Sequence, residues 1–214
     1  MSLFEEIKQM QEEFISNAPD EVLKIMQEAT QKLQDSGLAL KSLKEGDKMP
    51  YFTLPNAQGK MISSQTLLKN GPLVINFYRG GWCPYCNLEL QAFADAYTDV
   101  KNLGAELVSI SPNVPEQSLV SIEQHSLGFE VLSDKSNLLA KQCNLVYELD
   151  HSLRPLYKEF GIDIPAFNAD NSFTLPIPAT YVVDRDGIIK MAFVDADYTK
   201  RLEPSEVITA LRGL

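Results

Sequence analysis

Cysteine and histidine are scarce in this chain, with three and two residues among 214. So low and odd a cysteine count excludes the disulfide framework of a small secreted domain, and the chain is expected to work in reducing cytoplasm. His125, His151 and Cys143 form no HxxxH or second CxxC spacing, so a zinc centre lacks ligands and no metal or cofactor is expected. Lys and Arg number 19 against 29 Asp and Glu, a net charge of −10, and no basic run occurs. That balance excludes a nucleic-acid partner, because phosphate contacts need clustered cations. No apolar run approaches the roughly 20 residues of a membrane span. The start, "MSLFEEIKQMQEEF", is acidic and periodic, unlike a signal peptide. Internal repeats and low-complexity tracts are absent as well.

What is present has the composition of an ordinary globular protein, 44% hydrophobic and 22% charged, long enough for one domain with an extension. Residues 1–43 read as a helical hairpin. Leu3, Ile7, Met10 and Phe14 make one apolar stripe and Val22, Met26, Ala29 and Leu33 a second, separated by "SNAPD" and stopped near Gly37. This extension either covers one face of the core or serves as the arm of a homodimer. From Lys44 the texture becomes α/β. "PLVINFYR" and "AELVSISP" are β-rich, and between them Pro84 to about Asn102 is helical, closed by Gly104: a βαβ unit with a parallel strand pair. A helix over Pro115–Ser126, a strand over Phe129–Asp134 and a short helix near Ser136–Gln142 follow. "ATYVVDRDGIIKMAFVD" is a hairpin, and a last helix starts near Pro204. Residues 150–178 are rich in turn formers and read as an ordered excursion.

The residues with chemistry lie in "FYRGGWCPYCNLEL". The strand ends near Arg79, Gly80 and Gly81 turn the chain, and Cys83 falls at the helix N-cap. Pro84 takes the first helical position, where its missing N–H is harmless. Cys86 sits one turn on, and the i, i+3 spacing puts both sulfurs on one face within reach of a disulfide. Unpaired N–H groups and the helix dipole at that end favour a thiolate, the nucleophilic form. Arg79 either adds positive charge or is a solvated strand-end residue; Glu89, one turn beyond Cys86, acts in the opposite sense. Strand, motif and helix together point to thiol redox chemistry. Trp82 either packs or shapes access to the sulfurs. Tyr85 is expected to be exposed, Cys143 buried and inert, the two histidines at the surface, and Thr180 a strand residue.

"GDKMPYFTLPNAQGKMI", "VINFYRGGWCPYC" and "IPATYVVDRDGIIK", in this order and spacing, resemble the peroxiredoxin family of alkyl hydroperoxide reductase C and thiol-specific antioxidants, in its CxxC-containing branch. The resemblance covers residues 44–214. It implies a thioredoxin-like fold in its peroxiredoxin elaboration, a mixed central sheet flanked by helices. It also implies reduction of hydrogen peroxide or alkyl hydroperoxides, with a thioredoxin-like or glutathione reductant. The family's Pro-x-x-x-Thr-x-x-Cys motif, laid on "RGGWCPYC", puts the peroxide-attacking cysteine at Cys86 and the acidic residue at Glu89. The motif's proline falls on Arg79, its threonine on Cys83, and the family's second arginine on Pro178. Trp82-Cys83-Pro84-Tyr85-Cys86 also resembles thioredoxins and glutaredoxins. There Cys83 would attack a protein disulfide and Cys86 resolve it, and Ile177-Pro178 would be the cis-proline segment facing the pair. A redox sensor that changes its partner surface is the non-enzymatic alternative.

Overall fold

The computed structural model describes the whole chain, Met1 to Leu214. Its centre is a five-stranded sheet in the order β5-β4-β3-β8-β9. β3 (Leu73–Phe77) occupies the middle, parallel to β4 (Glu106–Ser111) on one side and antiparallel to β8 (Ala179–Val183) on the other. β5 (Glu130–Ser133) extends the parallel half, and β9 (Ile189–Val194) closes the other edge by a hairpin with a bulge at Val182–Val183. Every residue of β3 and β8 is buried, as expected of strands covered on both faces.

Side chains alternate across the sheet and divide the core. One face carries Val74, Tyr78, Leu107 and Val182 against helix α5 (Pro84–Asn102) and the terminal helix α10 (Pro204–Arg212). Leu90 and Phe93 of α5 are fully buried there, each contributing about 1.5–3 kcal/mol. The opposite face carries Leu73, Ile75, Phe77 and Tyr181 against α4 (Ser64–Asn70), α7 (Leu138–Gln142) and Cys143. α6 (Pro115–His125) crosses between β4 and β5. The excursion before β8 holds α8 (Leu153–Glu159), α9 (Ile164–Asn168) and a two-stranded sheet of β6 (Val146–Glu148) with β7 (Thr174–Pro176). β1 (Thr53–Pro55) and β2 (Met61–Ser63) pair antiparallel. These four strands are three residues each, too short to show a periodicity in sequence.

The N-terminal helices dock apart from each other. α1 (Leu3–Asn17) opens on a capping box of Ser2 and Glu5 and buries Leu3 and Ile7 against the α5 face. α2 (Asp20–Asp35) has no fully buried residue; Val22, Ile25, Met26 and Ala29 pack on Leu149, Leu153, Leu156 and Tyr157 around α8. α3 (Leu38–Lys41) then leads into the α/β region. Lys32 at the end of α2 pairs with Asp150 at 2.7 Å. The Lys32 hydrogen bond, with those from Ser152, holds the Asp150 carboxyl below the ordinary carboxylate range.

Candidate active site

The strand-to-helix turn after β3 is built for close approach. Gly80 has φ 147°, and a Cβ there would lie 2.4 Å from Trp82 Nε1 and 2.8 Å from Asn113 Oδ1. The Gly81 N–H donates to Asn113 Oδ1 at 3.0 Å, and Asn87 Nδ2 donates back to the Gly81 carbonyl at 3.0 Å. Cys83 N–H donates to the Gly80 carbonyl at 3.1 Å. The turn so closed makes Cys83 the N-cap of α5, with Pro84 in the first helical position and Cys86 in the first turn. Both sulfurs are free and buried, Cys83 1% and Cys86 0% exposed.

Each sulfur has its own guanidinium. Arg79 Nη1 lies 3.7 Å from Cys83 Sγ and Arg201 Nη2 lies 3.2 Å from Cys86 Sγ. Arg79 is not solvated; it is 2% exposed and held in a cage of rings. Its guanidinium carbon stands 4.3 Å from the Tyr198 ring centre, 4.9 Å from Trp82 and 5.8 Å from Tyr157, and Nη2 donates to the Tyr157 hydroxyl. Arg201 forms a buried ion pair with Glu89, Nε to Oε2 at 3.1 Å. Behind Glu89 a polar set runs into the sheet: Asn76 on β3 bonds Thr180 at 3.3 Å and Ser109 at 3.2 Å, and its side chain also reaches the Glu89 carboxylate.

The electrostatics select one thiolate. Burial alone would raise the Cys83 thiol, but the Cys86 S–H, Arg79, Arg201 and the Cys86 backbone N–H together bring it down to about 5. Cys86 is driven well up, by burial first and then by hydrogen bonding and charge from Cys83. At neutral pH the pair thus shares one proton and one negative charge, held between the Arg79 and Arg201 guanidinia. Burial raises Glu89, a rise that Arg201 and Asn76 partly restrain. Cys143 sits on the opposite face beside Met49, pushed by burial to about 12, an inert thiol.

Several sequence expectations change here. No peptide bond is cis, so Ile177-Pro178 is not a cis-proline segment. The Ile177 N–H is spent on the Leu145 carbonyl at 2.8 Å, and its side chain is drawn into the Cys143-side core. Tyr85 is buried rather than exposed, edge-on to Tyr198 at 5.6 Å. Thr180, by contrast, is a strand residue as read, in β8 and bonded to Asn76 behind Glu89. His151 is exposed, whereas the His125 ring is partly buried, which lowers its basicity. Arg201, Tyr157 and Tyr198 give no signal in sequence as site residues; Arg201 reaches Cys86, and Tyr157 and Tyr198 reach Arg79, from distant loops and α8.

A cavity of about 280 Å³ opens beside Arg79, Tyr147, Tyr157 and Tyr198, with Ala29, Thr30 and Leu33 of α2 as its other wall. Helix α2 of the N-terminal extension therefore walls the cavity into which the Arg79 side of the site faces. No group of three or more His, Cys, Asp or Glu side chains has metal-binding geometry.

Comparison with known proteins decides the family. A model described as the AhpC/TSA family matches residues 45–192. The chain belongs to the AhpC/TSA family. Among AhpC/TSA relatives, chloroplastic peroxiredoxin Q of Sedum lineare is 30% identical over 149 residues, 70% of this chain and 68% of the relative. That of Populus jackii is 30% identical over 149 residues and 59% of its own length, so this chain spans about six-tenths of such a relative. The fold is the peroxiredoxin form of the thioredoxin-like fold. Peroxidoxin BcpB of Mycobacterium tuberculosis superposes with a TM-score of 0.64 at 22% identity, over 80% of this chain and 98% of that one. A Plasmodium vivax 2-Cys peroxiredoxin gives 0.61 at 14% identity, over 79% and 81%. The AhpC/TSA match begins after α1, α2 and α3, so α2, which walls the cavity beside Arg79, lies outside it.

Proposed function

We propose that this chain is a thiol-dependent peroxidase that reduces hydrogen peroxide or alkyl hydroperoxides through a Cys83–Cys86 cycle. The observation that carries the reading is the pair of buried guanidinia on the two sulfurs, 3.7 Å and 3.2 Å away. Such an arrangement makes a thiolate and also supplies preorganised positive charge where an alkoxide or hydroxide develops. Arg79 Nε is buried without a partner, so one N–H beside Cys83 is unspent for a peroxide oxygen.

The Cys83 thiolate attacks one peroxide oxygen. The O–O bond breaks, the leaving oxygen takes a proton as water or alcohol, and Cys83 becomes a sulfenic acid. The Cys86 thiol then attacks the Cys83 sulfur, water leaves, and a disulfide remains. A thioredoxin-like or glutathione donor supplies two electrons and two protons to restore the dithiol. No metal or bound cofactor takes part, and the cycle suits a reducing compartment such as cytoplasm.

One observation favours the reverse assignment, which the resemblance to the family motif also implies: Cys86 has the nearer guanidinium, Arg201. Exchange with protein disulfides is less suited to this site, because both sulfurs are buried. The test is steady-state turnover with hydrogen peroxide and cumene hydroperoxide, with thioredoxin or glutathione recycling. Peroxide-dependent oxidation of the donor far above that of free cysteine is expected. Its absence, together with reduction of insulin disulfides, would replace the peroxidase reading with the oxidoreductase one.

A further inference from the structure

The buried charges around the pair balance in only one redox state. In the dithiol form, Arg79 and Arg201 face the Cys83 thiolate and the Glu89 carboxylate, two positive and two negative groups. None of these four side chains is more than 2% exposed. Each guanidinium acts on both sulfurs. Oxidation to the disulfide removes the thiolate charge but leaves both cations, so one buried guanidinium loses its counter-charge. Separation of charge from water at such depth makes that imbalance unfavourable. A disulfide whose reduced form is stabilised in this way is an oxidising one.

We infer that the Cys83–Cys86 disulfide is a strongly oxidising couple that low-molecular-weight monothiols reduce directly, without a dedicated low-potential dithiol protein. The inference rests on the thiol cycle proposed above and names its electron donor. In the first step a thiolate RS⁻ attacks Cys83 Sγ, forming the Cys83–S–SR mixed disulfide and expelling Cys86 as a thiolate beside Arg201. In the second, another RS⁻ attacks the RS sulfur, releasing RSSR and the Cys83 thiolate; Cys86 takes up one proton. Two thiols are oxidised to one disulfide and the enzyme gains two electrons. The cavity of about 280 Å³ walled by Tyr147, Tyr157 and Tyr198 reaches Arg79, whose guanidinium lies 3.7 Å from Cys83 Sγ, and has room for a thiol of tripeptide size.

The experiment is an equilibrium titration of the full chain in glutathione buffers, with thioredoxin as the reference couple. The wild-type disulfide is expected to be at least about 100-fold easier to reduce than that of thioredoxin. Two charge variants must then move in opposite directions. Arg201→Met, which leaves the dithiol form with excess negative charge, should make the disulfide at least about tenfold harder to reduce, about 30 mV. Glu89→Gln, which strands both cations in the oxidised form, should make it easier by a similar factor. A merely structural role would shift both the same way, and that result overturns the inference, as would a wild-type couple no more oxidising than thioredoxin. If Arg201→Met does not fold, the sign of the Glu89→Gln shift decides. A protein inert to peroxide would overturn the peroxidase reading and leave these equilibrium constants unmoved.

Discussion

The Arg201 guanidinium lies 3.2 Å from Cys86 Sγ across a sequence separation of 115 residues, with its Nε on the Glu89 carboxylate. Because Arg201 is fully buried, its removal strands Glu89 without a counter-ion. Arg201→Met should destabilise the chain by about 3–5 kcal/mol and reduce peroxide turnover by about 100-fold or more. Urea unfolding of the single variant and of Arg201→Met/Glu89→Gln checks the cause: the double variant should recover most of the lost stability.

The low thiol at Cys83 makes stability depend on pH. An unfolded cysteine titrates near 9.0, whereas the folded one titrates at about 5, so between those values the unfolded chain binds more protons. The stabilisation is complete above the unfolded value and is lost as pH falls toward 5, with a slope of at most about 1.4 kcal/mol per pH unit. Reduced wild type should therefore gain stability from pH 5 to 9 relative to Cys83→Ser. A parallel pair of curves would show that Cys83 is an ordinary thiol.

The Tyr157 hydroxyl accepts from Arg79 Nη2 inside the ring cage. Tyr157→Phe keeps the ring and removes that acceptor, leaving a buried guanidinium N–H unpaired at about 1–3 kcal/mol. The expected outcome is a slower alkylation of Cys83 by iodoacetamide at pH 6, several-fold, as Arg79 loses its fixed orientation. An unchanged rate would mean that the cage alone holds the guanidinium.

Much of this was readable in the sequence, and the reason differs by feature. α5 runs from Pro84 to Asn102 as read, because proline at the first turn and Gly104 after the last are local signals. The CxxC at a strand-to-helix turn is local too, and so is the all-buried β3. Arg201, Tyr157 and Tyr198 gave no signal, since they meet the pair only through the tertiary path of the chain; "DADYTKRL" reads as a polar loop. Tyr85 gives no signal of its burial for the same reason, since that burial comes from Tyr198. α2 showed an apolar stripe without revealing that its docking partner is α8, which places it beside the cavity.

α2 is held by its apolar stripe rather than by its ion pair. The Lys32 side chain is 78% exposed, so the bond to Asp150, short as it is, should contribute less than about 1 kcal/mol. Lys32→Ala should leave thermal stability and peroxide turnover within twofold of wild type. Met26→Asp, which places a charge on the α8-facing stripe, should loosen α2 and expose Tyr157, seen as faster hydrogen exchange in α2 and α8.

The most direct measurement follows the two sulfurs by intact mass after a single peroxide addition. Reduced Cys86→Ser should gain one oxygen, trapped by dimedone on Cys83, far faster than free cysteine reacts. Cys83→Ser should not, and wild type should lose two hydrogens as the disulfide forms. A sulfenic acid on Cys86 in Cys83→Ser, with none on Cys83 in Cys86→Ser, would reverse the assignment of attacker. Oxidation of every variant at the rate of a free thiol would contradict catalysis at this pair altogether.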